Sequence, residues 1–287
     1  MKHRSKQIGL VGLGLMGNAL AERFLRSGFR IVGFDLEQKR RTGLKRLGGK
    51  PLNSAAEVAM SCERIVVSLP TTDVVKTVIR EMGDRLHAGT ILIDTTTGEP
   101  EQTAGLGANL AKRRVRYVDA TIVGNSEQVR TGDVIVLAGG TRQSMAASRD
   151  VFECFARQTF HVGPSGSGAR MKLVVNLVLG LNRAVLAEGL SFARKAGVSP
   201  ERALEILKSS AAYSRVMDTK GNKMLKSDFK PQARLLQHLK DVRLILSLGK
   251  KVGAKLPLSA QHRKLLERVV AAGGGSLDNS AIIKAYH

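Results

Sequence analysis

The sequence predicts an α/β chain in two parts: a doubly wound parallel sheet over residues 1–163, then an all-α domain over residues 164–287 connected by a long helix. Three observations predict it. From residue 7 to about 160, short apolar runs alternate with helical stretches, the pattern of βαβ units. Near His161 the texture changes, and Gly163-Pro164-Ser165-Gly166-Ser167-Gly168 reads as a flexible, turn-rich hinge. Beyond it no strand-like alternation survives.

The elements follow in order. Residues 7–11 and 30–34 read as the first two strands, and 64–69, 90–94, 115–119 and 134–138 as later ones. Helical segments such as 18–27 and 55–61 lie between them. Residues 169–196 form one long helix with few breakers, too apolar to be exposed all round. Ser199 then caps a helix with Pro200 at its first position. The rest reads as helical to the end, apart from a break at Gly273-Gly274-Gly275.

Composition narrows the function classes. A chain of 287 residues with 43% hydrophobic content can build two cores. No uninterrupted apolar run reaches the length of a membrane span; residues 173–181 come nearest and are broken by Asn176 and Gly180. The stretch from Met1 to Gln7 is basic and polar, unlike a signal peptide, so a cytoplasmic protein with no membrane partner is expected. Two cysteines, Cys62 and Cys154, exclude a disulfide framework and a Cys-built zinc site, and no metal is expected. The net charge of +22 attracts polyanions, but the basic residues are spread and no aromatics interleave with them. A solvated basic surface is the preferred reading, and nucleic acid is disfavoured as a partner.

The strongest motif is Gly12-Leu13-Gly14-Leu15-Met16-Gly17, a G-x-G-x-x-G that follows the first strand and opens a helix. Gly12 allows the tight turn, Gly14 lets the backbone approach a pyrophosphate, and Gly17 lets helix and strand pack closely. The helix N-terminus then offers N–H groups and partial positive charge to the phosphates. Asp35 ends the second strand, where an acid takes the ribose 2′-hydroxyl and repels a 2′-phosphate. This is a Rossmann dinucleotide site, and Asp35 favours NAD. Lys39, Arg40 and Arg41 lie just beyond and could hold the extra phosphate, so NADP stays open.

The segment Gly166-Ser167-Gly168-Ala169-Arg170-Met171-Lys172-Leu173-Val174-Val175-Asn176 resembles the catalytic motif of the β-hydroxyacid dehydrogenases, the family of 3-hydroxyisobutyrate dehydrogenase and of tartronate semialdehyde and glyoxylate reductases. Ser68-Leu69-Pro70, Asp94-Thr95-Thr96-Thr97-Gly98-Glu99-Pro100, Lys240-Asp241 and Asp278-Asn279-Ser280-Ala281-Ile282-Ile283 resemble its other signatures, from residue 7 to about 283. The resemblance implies an NAD(P)-dependent oxidoreductase that moves hydride between nicotinamide and a small 3-hydroxy acid or semialdehyde. It implies Lys172 as general acid/base with Asn176 orienting the same oxygen, and Leu69, Pro70, Thr97 and Lys240 beside the cofactor. The substrate loop departs from the family's D-A-P-V-S-G-G. It reads Asp119-Ala120-Thr121-Ile122-Val123-Gly124-Asn125, with Val123 where the family has a carboxylate-binding Ser and Asn125 where it has Gly. Residues Ile122, Val123, Gly124 and Asn125 are the expected substrate contacts.

Lys172 and Asn176 stand four apart, on one face of a helix. A solvated Lys has a pKa near 10.4, so burial and nearby cations such as Arg170 and Lys240 are expected to bring it toward neutrality. Asp119 and His161 read as structural. Two competing readings are an imine or other carbonyl reductase on the same scaffold, against which Lys172 counts, and a non-catalytic basic dinucleotide-binding protein that binds nucleic acid. A third reading, a truncated relative of 6-phosphogluconate dehydrogenase, shares the K-x-x-x-N helix but is disfavoured because that enzyme has a much longer carboxy-terminal domain. The apolar long helix predicts a homodimer or homotetramer.

Overall fold

The computed structural model describes residues 6–286, so most of the basic stretch Met1 to Gln7 lies outside the described residues. The chain divides into two compact units, Met1–Lys172 and Leu173–His287.

The first unit alternates β1 (Gln7–Val11), α1 (Leu15–Arg26), β2 (Arg30–Phe34), α2 (Gln38–Arg46), β3 (Lys50–Pro51), α3 (Ala55–Ser61), β4 (Arg64–Val67), α4 (Thr72–Met82), β5 (Ile91–Asp94) and α5 (Pro100–Lys112). It continues through β6 (Arg116–Val123), α6 (Ser126–Thr131), β7 (Ile135–Gly139), α7 (Arg142–Glu153) and β8 (Gln158–Gly163). The sheet has the order β3-β2-β1-β4-β5-β6-β7-β8. β1 pairs in parallel with both β2 and β4, so the winding reverses between β1 and β4. Ligands of such sheets bind beyond the strand carboxyl ends at that reversal. Both faces are covered. Ile8, Leu10 and Val66 pack under α1 and α7, with Phe24 and Phe152, while Val11, Ile65 and Val67 pack under α3 and α4. That two-sided burial is why the inner strands are continuously apolar.

The sheet departs from the expectation in three places. β6 runs on to Val123, four residues past its expected end, and the extension pairs antiparallel with β7 from Asp119↔Gly139 to Val123↔Ile135. β8, parallel to β7 at the sheet edge, occupies the segment just before the expected hinge, for which the sequence predicts no element. Its residues are largely exposed, so no apolar alternation marks it. β3 is two residues long and ends on a proline, which only an edge strand tolerates.

The expected flexible hinge is instead closely packed. Gly166 N–H donates to Asp119 Oδ1 at 2.8 Å and Ala169 N–H to Asp119 Oδ2 at 2.8 Å. A Cβ on Gly168 would lie 2.6 Å from the Leu137 carbonyl oxygen and 2.7 Å from that of Asp119. The next helix, α8 (Ser167–Lys195), is a single element, and its first turns belong to the first unit, so the division falls inside the helix.

The second unit contains the rest of α8, then α9 (Pro200–Ser209), α10 (Val216–Leu225), α11 (Leu235–Lys251) and α12 (Pro257–Ala271). Ser199 caps α9 as expected, its side chain accepting from Arg202 N–H. Ala187, Leu190, Leu239, Leu266 and Ile282 form its core. The end of the chain is not α-helical: Gly274–Ser276 and Asn279–Tyr286 are 3-10 turns. The fully buried Asp278 explains this, because its carboxylate accepts from the N–H groups of Gln232, Ala233 and Ser280 and from Lys220 Nζ at 2.8 Å.

α8 contains a stretch long and apolar enough to cross a membrane. Its buried side, with Ala184, Ala187 and Leu190, belongs to the helical core, which accounts for part of that apolarity.

Candidate active site

The loop after β1 carries the glycine signature. Gly12 has φ +92°, and a Cβ there would run into the Ser68 carbonyl oxygen after β4. A Cβ on Gly17 would overlap the Gly12 carbonyl oxygen. Gly14, by contrast, has space above it: the nearest atom to a Cβ there is Arg40 Nη1 at 3.7 Å. Gly12 and Gly17 therefore close the turn, and Gly14 leaves room for a ligand's approach. Gly14 is the N-cap of α1 and provides no side-chain cap, so no capping side chain competes with a phosphate for the first N–H groups of the helix. Leu13 is buried in the core, Leu15 is half exposed, and Met16 packs against the core edge. This cradle fits a dinucleotide pyrophosphate.

Asp35 at the end of β2 is buried, and its carboxylate ties two loops together. Oδ2 accepts from Leu13 N–H at 2.7 Å, and Oδ1 accepts from Glu37 N–H at 2.9 Å. Arg40 Nη1 approaches Oδ2 at 3.3 Å, while Arg40 Nη2 pairs with Glu37 at 2.6 Å.

The loops after β4 and β5 open at the same edge. Leu69 N–H donates to Thr96 Oγ1 at 3.1 Å, and Thr96 N–H donates to Asp94 Oδ1 at 2.9 Å. Pro70 is exposed and Thr97 half-buried beside them. The buried Asp94 carboxyl is pushed up by desolvation and accepts from the Tyr117 hydroxyl at 2.7 Å. β6 continues past this edge into the expected substrate loop. The Ile122 side chain belongs to the core, leaving only its backbone for a ligand. Gly124 has φ +149°, and a Cβ there would strike Val134. Asn125 caps α6: its side chain accepts from Gln128 N–H at 3.0 Å, and Gln128 Oε1 accepts from Asn125 N–H at 3.1 Å. The side-chain oxygen of Asn125, an expected substrate contact, is thus committed to a capping box.

Asp119 pairs in register with Asp94, so the start of α8 is fixed level with the carboxyl end of β5. Burial pushes the Asp119 carboxyl up to about 6, against the pull of the Ala169 and Gly166 N–H groups. Asp119, expected to be structural and to end its strand, instead lies within β6 and holds the first turn of α8. Thr121, in the family's Pro position, donates from Oγ1 to the Gly168 carbonyl at 3.1 Å. His161 is structural, with Nε2 2.8 Å from the Gly140 carbonyl. Lys172, on that anchored helix, is 7% exposed.

In the second unit, Asn176 is 6% exposed and donates from Nδ2 to Asp241 Oδ2 at 2.9 Å. Asp241 also pairs with Lys240 at 3.2 Å. It therefore joins two expected site residues, a role unassigned from sequence. The adjacency Lys240-Asp241 was the available signal. Arg183, two turns beyond Asn176 on α8, is also buried; its Nε and Nη1 lack hydrogen-bond partners, and burial draws it down to about 10. Nothing in its sequence context marked it.

Residues 7–163 match the model of the NAD-binding domain of 6-phosphogluconate dehydrogenase, and residues 166–286 match that of the NAD-binding part of NADP-dependent 3-hydroxyisobutyrate dehydrogenase. The chain belongs to the β-hydroxyacid dehydrogenase family. It is 32% identical to 2-(hydroxymethyl)glutarate dehydrogenase of Eubacterium barkeri, over 99% of this chain and 95% of that one. It is 28% identical to the cytokine-like nuclear factor N-PAC of Homo sapiens, over 98% of this chain and 51% of that one. The 3-hydroxyisobutyrate dehydrogenase structure from Salmonella typhimurium superposes with a TM-score of 0.89 at 23% identity, covering 97% and 99% of the two chains, which shows the shared fold. As a member of this family the chain is an NAD(P)-dependent oxidoreductase.

Proposed function

We propose that the enzyme transfers hydride between a nicotinamide cofactor and a small 3-hydroxy acid or its semialdehyde, with Lys172 as the general acid/base. The observation that carries this is the pair Lys172 and Asn176, both buried and one turn apart on α8, with Asn176 held by Asp241. The likeness to 2-(hydroxymethyl)glutarate dehydrogenase supports the substrate class, since that substrate's name describes a hydroxymethyl group next to a carboxylate-bearing carbon.

The cofactor, when bound, supplies the hydride chemistry; the chain positions it and handles the proton. Gly12, Leu13, Gly14, Leu15, Met16 and Gly17 would carry the pyrophosphate on backbone N–H groups, Asp35 the adenosine ribose, and Leu69, Pro70, Thr97 and Lys240 the nicotinamide side. Lys172 Nζ accepts the hydroxyl proton in oxidation and returns it to the new alkoxide in reduction. Asn176 orients that oxygen. Val123 removes the hydroxyl donor that relatives offer a carboxylate, so backbone N–H groups at Val123 and Gly124 would hold the substrate acid group. On this reading 1–163 is the dinucleotide domain, 164–287 the substrate and oligomerisation domain, and the location cytoplasmic.

A spectrophotometric screen of short 3-hydroxy acids and semialdehydes with both cofactors tests the substrate class. Lys172→Ala should lower kcat by roughly 10²–10⁴-fold with cofactor affinity retained by calorimetry; unchanged turnover sinks the assignment. A second reading, a non-catalytic protein working on nucleic acid through its charge, draws on the +22 balance. It requires no turnover with any of these substrates and DNA binding that weakens steeply with salt.

A further inference from the structure

We infer that the enzyme selects NAD over NADP, and that Glu37 is a determinant of that choice, because it holds Arg40 as an internal counter-ion instead of leaving it to clamp a 2′-phosphate. This rests on the dinucleotide reading of the glycine loop.

The run Lys39-Arg40-Arg41 has the composition of a phosphate clamp, but the side-chain partners of Arg40 and Arg41 tell against that use by the two arginines. Arg40 bridges two carboxylates, with Nη1 3.3 Å from Asp35 and Nη2 2.6 Å from Glu37. Arg41 donates to the backbone carbonyls of Asp35 and Leu36, contacts the Gln38 side chain, and lies over the Phe34 ring with its guanidinium carbon 5.8 Å from the centroid. Its fork is directed at the chain itself. Leu36, the residue directly after Asp35, is 84% exposed and its side chain offers no donor.

A 2′-phosphate arriving here meets the Asp35 carboxylate, buried and fixed by Leu13 and Glu37 N–H groups, and then a second carboxylate at Glu37. To bind, it must draw Arg40 out of its ion pair with Glu37, a competition between anions for one guanidinium. A 2′-hydroxyl needs no such exchange, since it is a neutral donor facing acceptor oxygens. Asp35 accounts for the ribose contact; Glu37 keeps the neighbouring cation occupied.

Isothermal titration of the purified enzyme with NAD and with NADP, at about 0.15 M salt so that the overall basic field is screened, reads this directly. The expected result is NADP binding at least about tenfold weaker than NAD. Glu37→Gln, at an exposed position where folding is not at stake, should release Arg40 and cut that ratio about tenfold. Arg40→Ala in the wild-type background should not weaken NADP relative to NAD. Equal or tighter NADP binding by the wild type overturns the inference alone, as does a selective loss of NADP affinity in Arg40→Ala. Binding of neither cofactor overturns the dinucleotide reading and this inference with it.

Discussion

Single residues in the helical unit carry charges that its fold must tolerate. His262 is 3% exposed, lies with its ring 5.2 Å from that of His238, and its Nε2 has no hydrogen-bond partner. Burial, and then the Arg183 guanidinium, bring its imidazole down to about 4. In the unfolded chain a histidine takes its proton near pH 6.5. The contribution of a neutral His262 is therefore fully present above about pH 6.5 and is lost as pH falls through about 4. The shift corresponds to about 3 kcal/mol as an order of magnitude. Urea unfolding at pH 7 and at pH 4.5 should show the loss, and His262→Gln should flatten the pH dependence; an equal slope in the variant would exclude His262 as its source. Neither His262 nor Arg183 stands in a motif. Their environment comes from α8, α11 and α12 meeting, which local sequence does not describe.

At the scale of elements, the start of α8 is the best-determined feature. Its glycines looked like a hinge because glycine and proline cluster there, and they are required because backbone passes close by. Gly168 faces the carbonyl oxygens of Leu137 and Asp119 and the Asp119 carboxylate, all within 2.8 Å of where a Cβ would stand. These atoms belong to paired strands and cannot yield. Gly168→Ala should cost about 1–3 kcal/mol, seen as a lower Tm of the first unit, and should lower kcat because the helix that carries Lys172 is displaced. A stable variant with full turnover would mean that this anchoring does not position Lys172. The same contacts explain which element boundaries were legible. β1, β2 and α3 matched because apolar runs and caps are local, whereas β8 and the extension of β6 depend on a partner strand.

For the whole molecule, α8 leaves an apolar stripe uncovered. Val174, Val178, Val185 and Phe192 are 52%, 53%, 68% and 73% exposed, at helical spacings of four, seven and seven residues. A stripe of this repeat is what a second helix covers, and it supports the expected homo-oligomer. Light scattering should give a dimer or tetramer for the wild type and a smaller species for Val185→Asp combined with Phe192→Asp. A monomeric wild type would leave the stripe without that role.

By itself the sequence determined the class of fold and the family, and it named a candidate dinucleotide loop and the candidate acid/base Lys172, because each is written in residues close together in the chain. Glycine spacing, strand hydrophobicity and the four-residue step from Lys172 to Asn176 are all local. Tertiary structure alone decided that Asp119 anchors α8, that Asp241 joins Asn176 to Lys240, that Asn125 is a helix cap, and that Glu37 and Asp35 share Arg40. Hydrogen bonds and ion pairs act over about 3 Å of space whatever the separation along the chain, so the use to which each polar side chain is put is settled only when the elements have packed.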